Sequence, residues 1–165
     1  MEEVECSFVS GTNWFRLRAC AILIHNGKIL MVRNNRDPYY YSVGGGVKHG
    51  ESLEEAVKRE VLEETGCNLE IERLAFIHEN FFNGKDVLLN GFTCHEIAFY
   101  YLMKWQSELR LESNSTNTGG IPEHLEWLQI SELKELGIPV YPTFFAEELK
   151  KMSFFPKHII TNEEE

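Results

Sequence analysis

Short apolar runs separated by polar turns dominate the chain, a pattern that predicts β-strands. The first two runs, Leu17 to Ile24 and Lys28 to Arg33, flank Asn26 and Gly27. Asn-Gly between two apolar runs favours a type I′ hairpin turn. With the runs that follow, the pattern predicts six strands, the later ones at residues 39–43, 69–78, 96–105 and 125–130.

Helical patterning is strongest in a segment that carries its own end signals. Ser52 and Glu55 form a capping box at its start, and Gly66 stands where a left-handed C-cap belongs. We therefore expect a helix from Ser52 to Thr65. Two shorter helices are expected at residues 131–136 and 142–152. Polar loops are expected at residues 80–84 and 113–120.

The composition is that of an ordinary globular protein, which excludes the disordered and collagen-like classes. The 165 residues have a mass of 19.2 kDa, and 43% of them are hydrophobic and 25% charged. A chain of this length suits one domain better than two. We expect a single domain over residues 1–165, with its core at about 15–155 and an acidic tail at 157–165.

The charge and the cysteine content restrict the classes of binding partner and the cellular compartment that we expect for this protein. Sixteen basic and 26 acidic residues give a net charge of −10, which disfavours long nucleic acids because their binding depends on Lys and Arg neutralising phosphates. Four cysteines without a CxxC pair favour reduced thiols. The acidic start and the lack of a long apolar run favour a cytoplasmic protein that neither spans nor binds a membrane. A homodimer stays open.

The helix at 52–65 departs from the usual amphipathic pattern, because glutamates lie on its apolar side. At about 100° per residue, the apolar stripe centres on Leu53, Glu60 and Glu64 fall within it, and Glu63 lies at its edge. Carboxylates gathered in this way repel one another and are costly to desolvate, so a cation is expected between them. Ligands that are all oxygens favour Mg²⁺ or Mn²⁺ over zinc.

The residues around this helix resemble the Nudix box, GX5EX7REUXEEXGU, where U is a bulky aliphatic residue. Gly45 is followed after five residues by Glu51, and after seven more by REVLEETGC at 59–67. Every specified polar and glycine position matches, and Cys67 is the one departure. The resemblance to this MutT-like hydrolase family implies an α/β fold, namely the Nudix-type α/β/α sandwich with a mixed sheet. It also implies Mg²⁺-dependent hydrolysis of a nucleoside diphosphate linked to another group.

The same resemblance implies roles for the residues of the box. The implied metal ligands are Glu60, Glu63, Glu64 and the carbonyl of Gly44 or Gly45. Arg59 is implied to orient the glutamates and to pair with Glu51, a role that suits its planar guanidinium.

The general base stays open between two kinds of residue. Glu60 in the box is the first candidate. A glutamate just after the loop at 113–120 is the second, which means Glu123 or Glu126. The expected catalytic set is therefore Glu60, Glu63, Arg59 and Glu123.

Specificity depends on residues outside the box. Phe81, Phe82 and Tyr40 are candidates to offer aromatic surface to a nucleobase. Some family members that cleave ADP-ribose carry a proline about 16 residues past the box, where this chain has Phe82-Asn83-Gly84, which disfavours that substrate. We expect the substrate to be a small phosphorylated nucleotide. The expected reaction is hydrolysis of a nucleoside triphosphate to the monophosphate and pyrophosphate. Alternatives are a nucleotide-sugar pyrophosphatase and a non-catalytic nucleotide-binding module, although the intact glutamates argue against the latter.

Overall fold

The computed structural model describes residues 2–106, 110–111 and 120–163. Its strands are β1 (Ser7–Ser10), β2 (Asn13–Ile22), β3 (Ile24–His25), β4 (Lys28–Asn34), β5 (Tyr40–Gly46), β6 (Ile71–Asn83), β7 (Thr93–Met103), β8 (Glu123–Gln129), β9 (Val140–Tyr141) and β10 (Lys157–Glu163). Its helices are α1 (Leu53–Thr65), α2 (Phe145–Glu148) and the 3₁₀ helices Ile130–Glu135 and Leu149–Lys151. The expected loop at 113–120 lies outside the described residues, apart from Gly120. None of the described helices is long and apolar enough to span a membrane.

The strands of the described residues form one mixed sheet, as the sequence predicts. Its main path runs β10-β6-β7-β2-β5-β4-β3, with β1 beside β2, β8 beside β4 and β9 beside β5. The pairs β2–β7 and β6–β10 are parallel, whereas β6–β7, β2–β5 and β4–β8 are antiparallel. The sheet therefore brings β5, which precedes α1, next to the central strand β2.

Helices cover both faces of this sheet and create two cores. Side chains alternate between the faces of a strand, so that Ala19 of β2 packs on the α1 side while Cys20 packs on the α2 side. On the first face, Val57 and Val61 hold α1 against the sheet, and on the second Phe145 holds α2. The α/β/α sandwich expected from the sequence is confirmed.

The local end signals predicted from the sequence are present. Ser52 caps α1 and shares reciprocal hydrogen bonds with Glu55, and Gly66 ends the helix in the left-handed region with φ of 72°. Asn26 and Gly27 both have positive φ, 50° and 72°, between β3 and β4. Positive φ at both central residues is the requirement of a type I′ turn.

Three expectations for the chain from residue 80 onwards are wrong. Residues 80–83, expected in a loop, continue β6, because Asn80 pairs with Glu96 of β7 and with Thr161 of β10. Residues 157–163, expected in an acidic tail, form β10, whose backbone groups pair with β6. The expected helix at 142–152 is also shorter, since only α2 and the 3₁₀ turn after it are helical. The first two errors concern backbone whose partners lie far away in sequence.

The four cysteines are free, as expected. Three are buried and Cys6 is half-buried.

His78 is a buried histidine that joins β6 to β10. Its side chain is 4% exposed, and its Nε2 lies 2.8 Å from Oγ1 of Thr161. Since the Thr161 hydroxyl donates to Oδ1 of Asn80 at 2.8 Å, Nε2 of His78 must carry the proton and donate. Burial, assisted by the positive charge of Arg18, lowers the pKa of His78 to about 4.

We predict that His78→Gln reduces the acid sensitivity of folding. Between pH 7 and pH 5 the unfolded wild-type chain gains a proton near the ordinary histidine pKa, whereas folded His78 stays neutral until about pH 4. As the pH is lowered from 7 to 5, the free energy of unfolding of the wild type therefore decreases. This histidine accounts for about 1–2 kcal/mol of the decrease. Urea unfolding at both pH values should show this loss disappearing in His78→Gln.

The exposed His124 provides the control. His124→Gln should keep the wild-type difference between the two pH values. An equal difference in His78→Gln and in the wild type would contradict the role given to the buried histidine.

Candidate active site

Two carboxylates of α1 contact a part of β5 that has no side chains. Glu64 is 6% exposed, and its Oε2 accepts a hydrogen bond of 3.3 Å from the Gly44 amide. A Cβ added to Gly45 would lie only 2.6–2.8 Å from the carboxylate atoms of Glu60. Glycine at position 45 thus allows Glu60 to approach the strand backbone. The sequence predicts this meeting of the glutamates with the glycine-rich strand.

Arg59 binds two elements of the site together. Its Nε and Nη2 donate to the two carboxylate oxygens of Glu51 at 2.6 and 3.0 Å, a bidentate pair. Nη2 also donates to the carbonyl of Gly46 at 3.1 Å. Nη1 lies 2.6 Å from Oε1 of Glu60 and 3.4 Å from Oε2 of Glu63. These hydrogen bonds lower the pKa of Glu51, and they fix the position of the Glu60 carboxylate.

Glu123, the first residue of β8, approaches the same region from the other side. It is 8% exposed and lies opposite Asn34 of β4 in the antiparallel register. The Tyr41 hydroxyl donates a hydrogen bond to Oε2 of Glu123, and the Asn34 side chain donates to the Tyr41 oxygen at 3.2 Å. The charge of Glu123 is close enough to Glu64 to affect the titration of that group.

The alternative glutamate, Glu126, lies on the other face of the sheet. Because side chains alternate along a strand, two residues three positions apart point to opposite faces of the sheet. Glu126 accepts a hydrogen bond of 2.6 Å from the hydroxyl of Tyr40. Tyr40 belongs to the core on the α2 side, whereas Tyr41 packs with the core under α1. The structure therefore brings Glu123, and not Glu126, to the carboxylates of α1.

The electrostatics of the cluster disfavour its ionised state. Burial raises the pKa of Glu64 well above its ordinary value, and the charges of Glu123 and Glu60 raise it further. Burial also raises the pKa of Glu60, against the opposing effect of Arg59. Arg18, half-buried on the opposite face of β2, lowers the pKa of both groups by a smaller amount. A further cation beside Glu60 and Glu64 would relieve this repulsion.

The donor set suits a hard cation. The groups that approach one another are carboxylate oxygens beside the backbone of Gly44 and Gly45, and carboxylate and carbonyl oxygens are the ligands of Mg²⁺ and Mn²⁺. Within the described residues, no three His, Cys, Asp or Glu side chains already surround one point. Glu63 is turned towards Arg59 and its side chain is 52% exposed, so that joining Glu60 and Glu64 requires only a change of its rotamer.

The aromatic residues proposed to bind substrate do not share one surface. Phe81 and Phe82 lie in β6 rather than in a loop, and as neighbours in a strand they point to opposite faces. Phe81 stacks on His95 with a centroid distance of 4.3 Å. Phe82 pairs with the end of β7 that lies beside Trp14. Tyr40 is buried beyond the other end of β2, roughly 20 Å or more away by strand rise.

Sequence reasoning did not identify the contacts of Glu123 or the nearby half-buried cation, Arg18. Asn34 and Tyr41 hold Glu123, and Arg18 lies behind the glutamates. Arg18 carries a detectable signal, because a charge inside an otherwise apolar run is unusual. The role of Tyr41 has no comparable signal, since three consecutive tyrosines, at 39–41, share the same local pattern.

Comparisons with known proteins agree on one family. A sequence model described as the NUDIX domain matches residues 14–147. The crystal structure of a MutT protein from Bacillus halodurans is 22% identical, with a TM-score of 0.65, covering 89% of this chain and 90% of that one. A MutT NUDIX hydrolase from Burkholderia pseudomallei is 26% identical, with a TM-score of 0.51, covering 70% and 84%.

A third solved structure has a similar fold. An ADP-ribose pyrophosphatase from Streptococcus suis is 18% identical, with a TM-score of 0.56, covering 88% of this chain and 98% of that one. A comparison with curated protein sequences gives no significant match. At this identity the Streptococcus structure, like the Bacillus one, is evidence for the fold alone.

We predict that Gly45→Ala weakens the binding of Mn²⁺ by about tenfold or more. The new methyl group would displace the Glu60 carboxylate, which lies within 2.8 Å of its position. Because the clash involves the end of a flexible side chain, the melting temperature should change little. Electron paramagnetic resonance of free Mn²⁺ measures the affinity.

Gly46→Ala is the matched control. Its methyl group would displace the carboxylate of Glu5 instead of Glu60, so the Mn²⁺ affinity should stay at the wild-type value. Equal losses in the two variants, or none in Gly45→Ala, would contradict the importance of this close approach.

Proposed function

The chain belongs to the Nudix family and is a Nudix hydrolase, and we propose that it is a Mg²⁺-dependent enzyme that hydrolyses a nucleoside triphosphate to the monophosphate and pyrophosphate. The observation that carries this proposal is the approach of Glu60 and Glu64 to the glycines of β5, with the charge of Glu123 close to Glu64. Buried carboxylates at such a point need a cation, and a cation there would attract a phosphate chain. We further propose a single cytoplasmic domain.

The metal proposed for this site is Mg²⁺, with Mn²⁺ as a substitute. Glu60 and Glu64 would hold it, with Glu63 and the carbonyl of Gly44 or Gly45 as further oxygen ligands. When bound, it would neutralise charge on the phosphate oxygens and favour the ionisation of water.

Arg59 and Glu51 are positioning residues in this proposal. The bidentate pair holds the guanidinium, and its remaining Nη1 holds Glu60 at 2.6 Å. The positive charge of Arg59 also offsets part of the negative charge of the cluster before a cation is bound. Lysine would not replace it, because an ammonium group cannot keep the planar pair with Glu51 while it reaches Glu60.

Glu123 is the residue that we propose as general base. Glu60 is engaged by Arg59 and by its proposed metal, whereas Glu123 approaches the cluster from β8 and accepts a hydrogen bond from Tyr41. Glu123 would accept a proton from water as the water oxygen attacks phosphorus. The bridging P–O bond breaks, and its electron pair leaves with the departing phosphate group. Tyr41 and Asn34 would orient the Glu123 carboxylate.

The substrate class follows from the family and from the charge of the chain. A net charge of −10 disfavours long nucleic acids but permits a small nucleotide accompanied by a cation. Nucleotide sugars are the second candidate, because they contain the same pyrophosphate bond. Phe81, Phe82 and Tyr40 lie apart, so we do not assign them to one nucleobase pocket.

A substrate screen tests the proposed function. Release of phosphate from nucleoside triphosphates, nucleotide sugars, ADP-ribose and dinucleotides is measured after phosphatase or pyrophosphatase treatment, with Mg²⁺ and with EDTA. We expect Mg²⁺-dependent conversion of a triphosphate, with monophosphate and pyrophosphate identified by chromatography. Cleavage of nucleotide sugars alone would move the assignment to the second class. No turnover of any compound, with a nucleotide still raising the melting temperature, would favour a binding module.

We predict that Glu64→Gln changes activity and stability in opposite directions. Loss of a proposed metal ligand should reduce kcat/KM by about 100-fold or more. Because burial and the neighbouring charges raise the pKa of Glu64 in the folded state, its ionised form destabilises the fold at pH 7, and the neutral amide should increase the free energy of unfolding measured without metal. Assays and urea unfolding in EDTA measure the two effects.

Glu54→Gln is the control on the exposed side of the same helix. Both its activity and its stability should match the wild type. A Glu64→Gln enzyme with near-normal turnover would exclude the assigned metal site.

We predict that Glu123→Gln lowers kcat by about 100-fold while Mn²⁺ still binds with nearly wild-type affinity. Tyr41→Phe should have a smaller effect of the same kind, because it removes the hydrogen bond that orients the base. Glu126→Gln, on the opposite face, should leave kcat unchanged. Parallel loss of Mn²⁺ affinity in Glu123→Gln would instead identify Glu123 as a metal ligand.

A further inference from the structure

A cavity of about 210 Å³ lies on the face of the sheet opposite α1. One wall is the first part of β6, including Arg73 and Phe76, and the other is the segment after α2, including Lys151, Phe155 and Lys157. None of these residues belongs to the carboxylate cluster. The cavity is therefore separate from the candidate active site.

Arg73 is the residue of this cavity that most needs a ligand. Its Nη1 is buried and has no hydrogen-bond partner among the described residues. No carboxylate of the described residues lies within salt-bridge distance of it either. Arg73 also sits between two irregularities in the pairing of β6 with β7, at Ile71/Arg73 and at Leu74/Phe76. Such bulges commonly redirect side chains next to functional sites.

The charges around the cavity favour an anion. Arg73, Lys151 and Lys157 are three cations, and Glu148 is the one carboxylate in the lining. That carboxylate is shared, since its Oε1 lies 2.8 Å from Nζ of Lys157 and 3.8 Å from Nζ of Lys151. The lining of the cavity thus has an excess of two positive charges, although the net charge of the chain is −10.

Apart from Ser153, whose hydroxyl donates to the carbonyl of Phe155, the remaining lining is apolar. Phe76 forms the buried floor, and Phe155 is 74% exposed, so that its ring is accessible to a ligand. The guanidinium of Arg73, which lines the cavity, suits the oxygens of a phosphate group, and an exposed aromatic ring suits a flat group attached to it. We propose that this cavity is a second anion site, which binds the phosphate group of a small molecule through Arg73, Lys151 and Lys157.

Binding of inorganic pyrophosphate and of adenosine monophosphate tests the proposal. Isothermal titration calorimetry is done on the full chain in EDTA, because without a divalent cation the carboxylate cluster repels anions. Both probes should bind the wild type. Arg73→Gln and Lys151→Gln should each weaken binding by about tenfold, the effect of losing one charged hydrogen bond.

Lys150→Gln is the matched control, since Lys150 is the exposed neighbour of Lys151 and does not line the cavity. It should bind both probes with wild-type affinity. Lys151 is exposed, so its variant keeps the test valid if Arg73→Gln fails to fold. Phe155→Ala separates the two sources of phosphate: a loss confined to adenosine monophosphate supports a ligand with a ring, and no loss supports a free inorganic anion.

Amide shifts in NMR spectra locate the binding. Shifts at residues 148–157 with either probe support the proposal. Shifts confined to residues 44–64, equal affinities in all variants, or no binding to the wild type at millimolar concentration would overturn it. None of these readouts requires turnover, so failure here is distinct from failure of the proposed hydrolase.

Discussion

The site depends on the close contact between two carboxylates of α1 and a stretch of β5 that has no side chains. Glu60 and Glu64 cannot withdraw into solvent, because Val57 and Val61 on the same face hold the helix against the sheet. Burial of the apolar side chains thus holds the acidic groups in a position where they lose solvation by water, which is unfavourable for their charged forms. Arg59 offsets part of this cost, and it does so from outside the cluster. A position beside the two carboxylates remains suited to a cation.

The alternation of side chains across the sheet separates two kinds of chemistry. Tyr41 and Glu123 face α1 and join the carboxylates, whereas Tyr40 and Glu126, one and three residues away, pair with each other on the opposite face. That second face holds apolar packing, the neutral His78 and the cavity at Arg73. Residues that are close in sequence can therefore have unrelated roles, since the pleat of a strand sends them to different environments.

The acidic cluster also illustrates a conflict between folding and function. A helix selected for stability alone would place apolar residues at positions 60 and 64, and the raised pKa of both groups shows that the ionised forms are disfavoured. Such departures from the patterning rules are expected at functional sites. The same reasoning applies to the three cations, Arg73, Lys151 and Lys157, that line one cavity with a single carboxylate.

The sequence by itself determined the features that depend on neighbours a few positions apart. The ends of α1 follow from Ser52 and Gly66, and the hairpin follows from the Asn-Gly turn. The spacing of the glutamates on one helix predicts their convergence. Only the tertiary structure decided that Glu123 rather than Glu126 approaches them, and that residues 157–163 form a strand. Those outcomes depend on strand pairing and register between segments far apart in the chain, which no local pattern specifies.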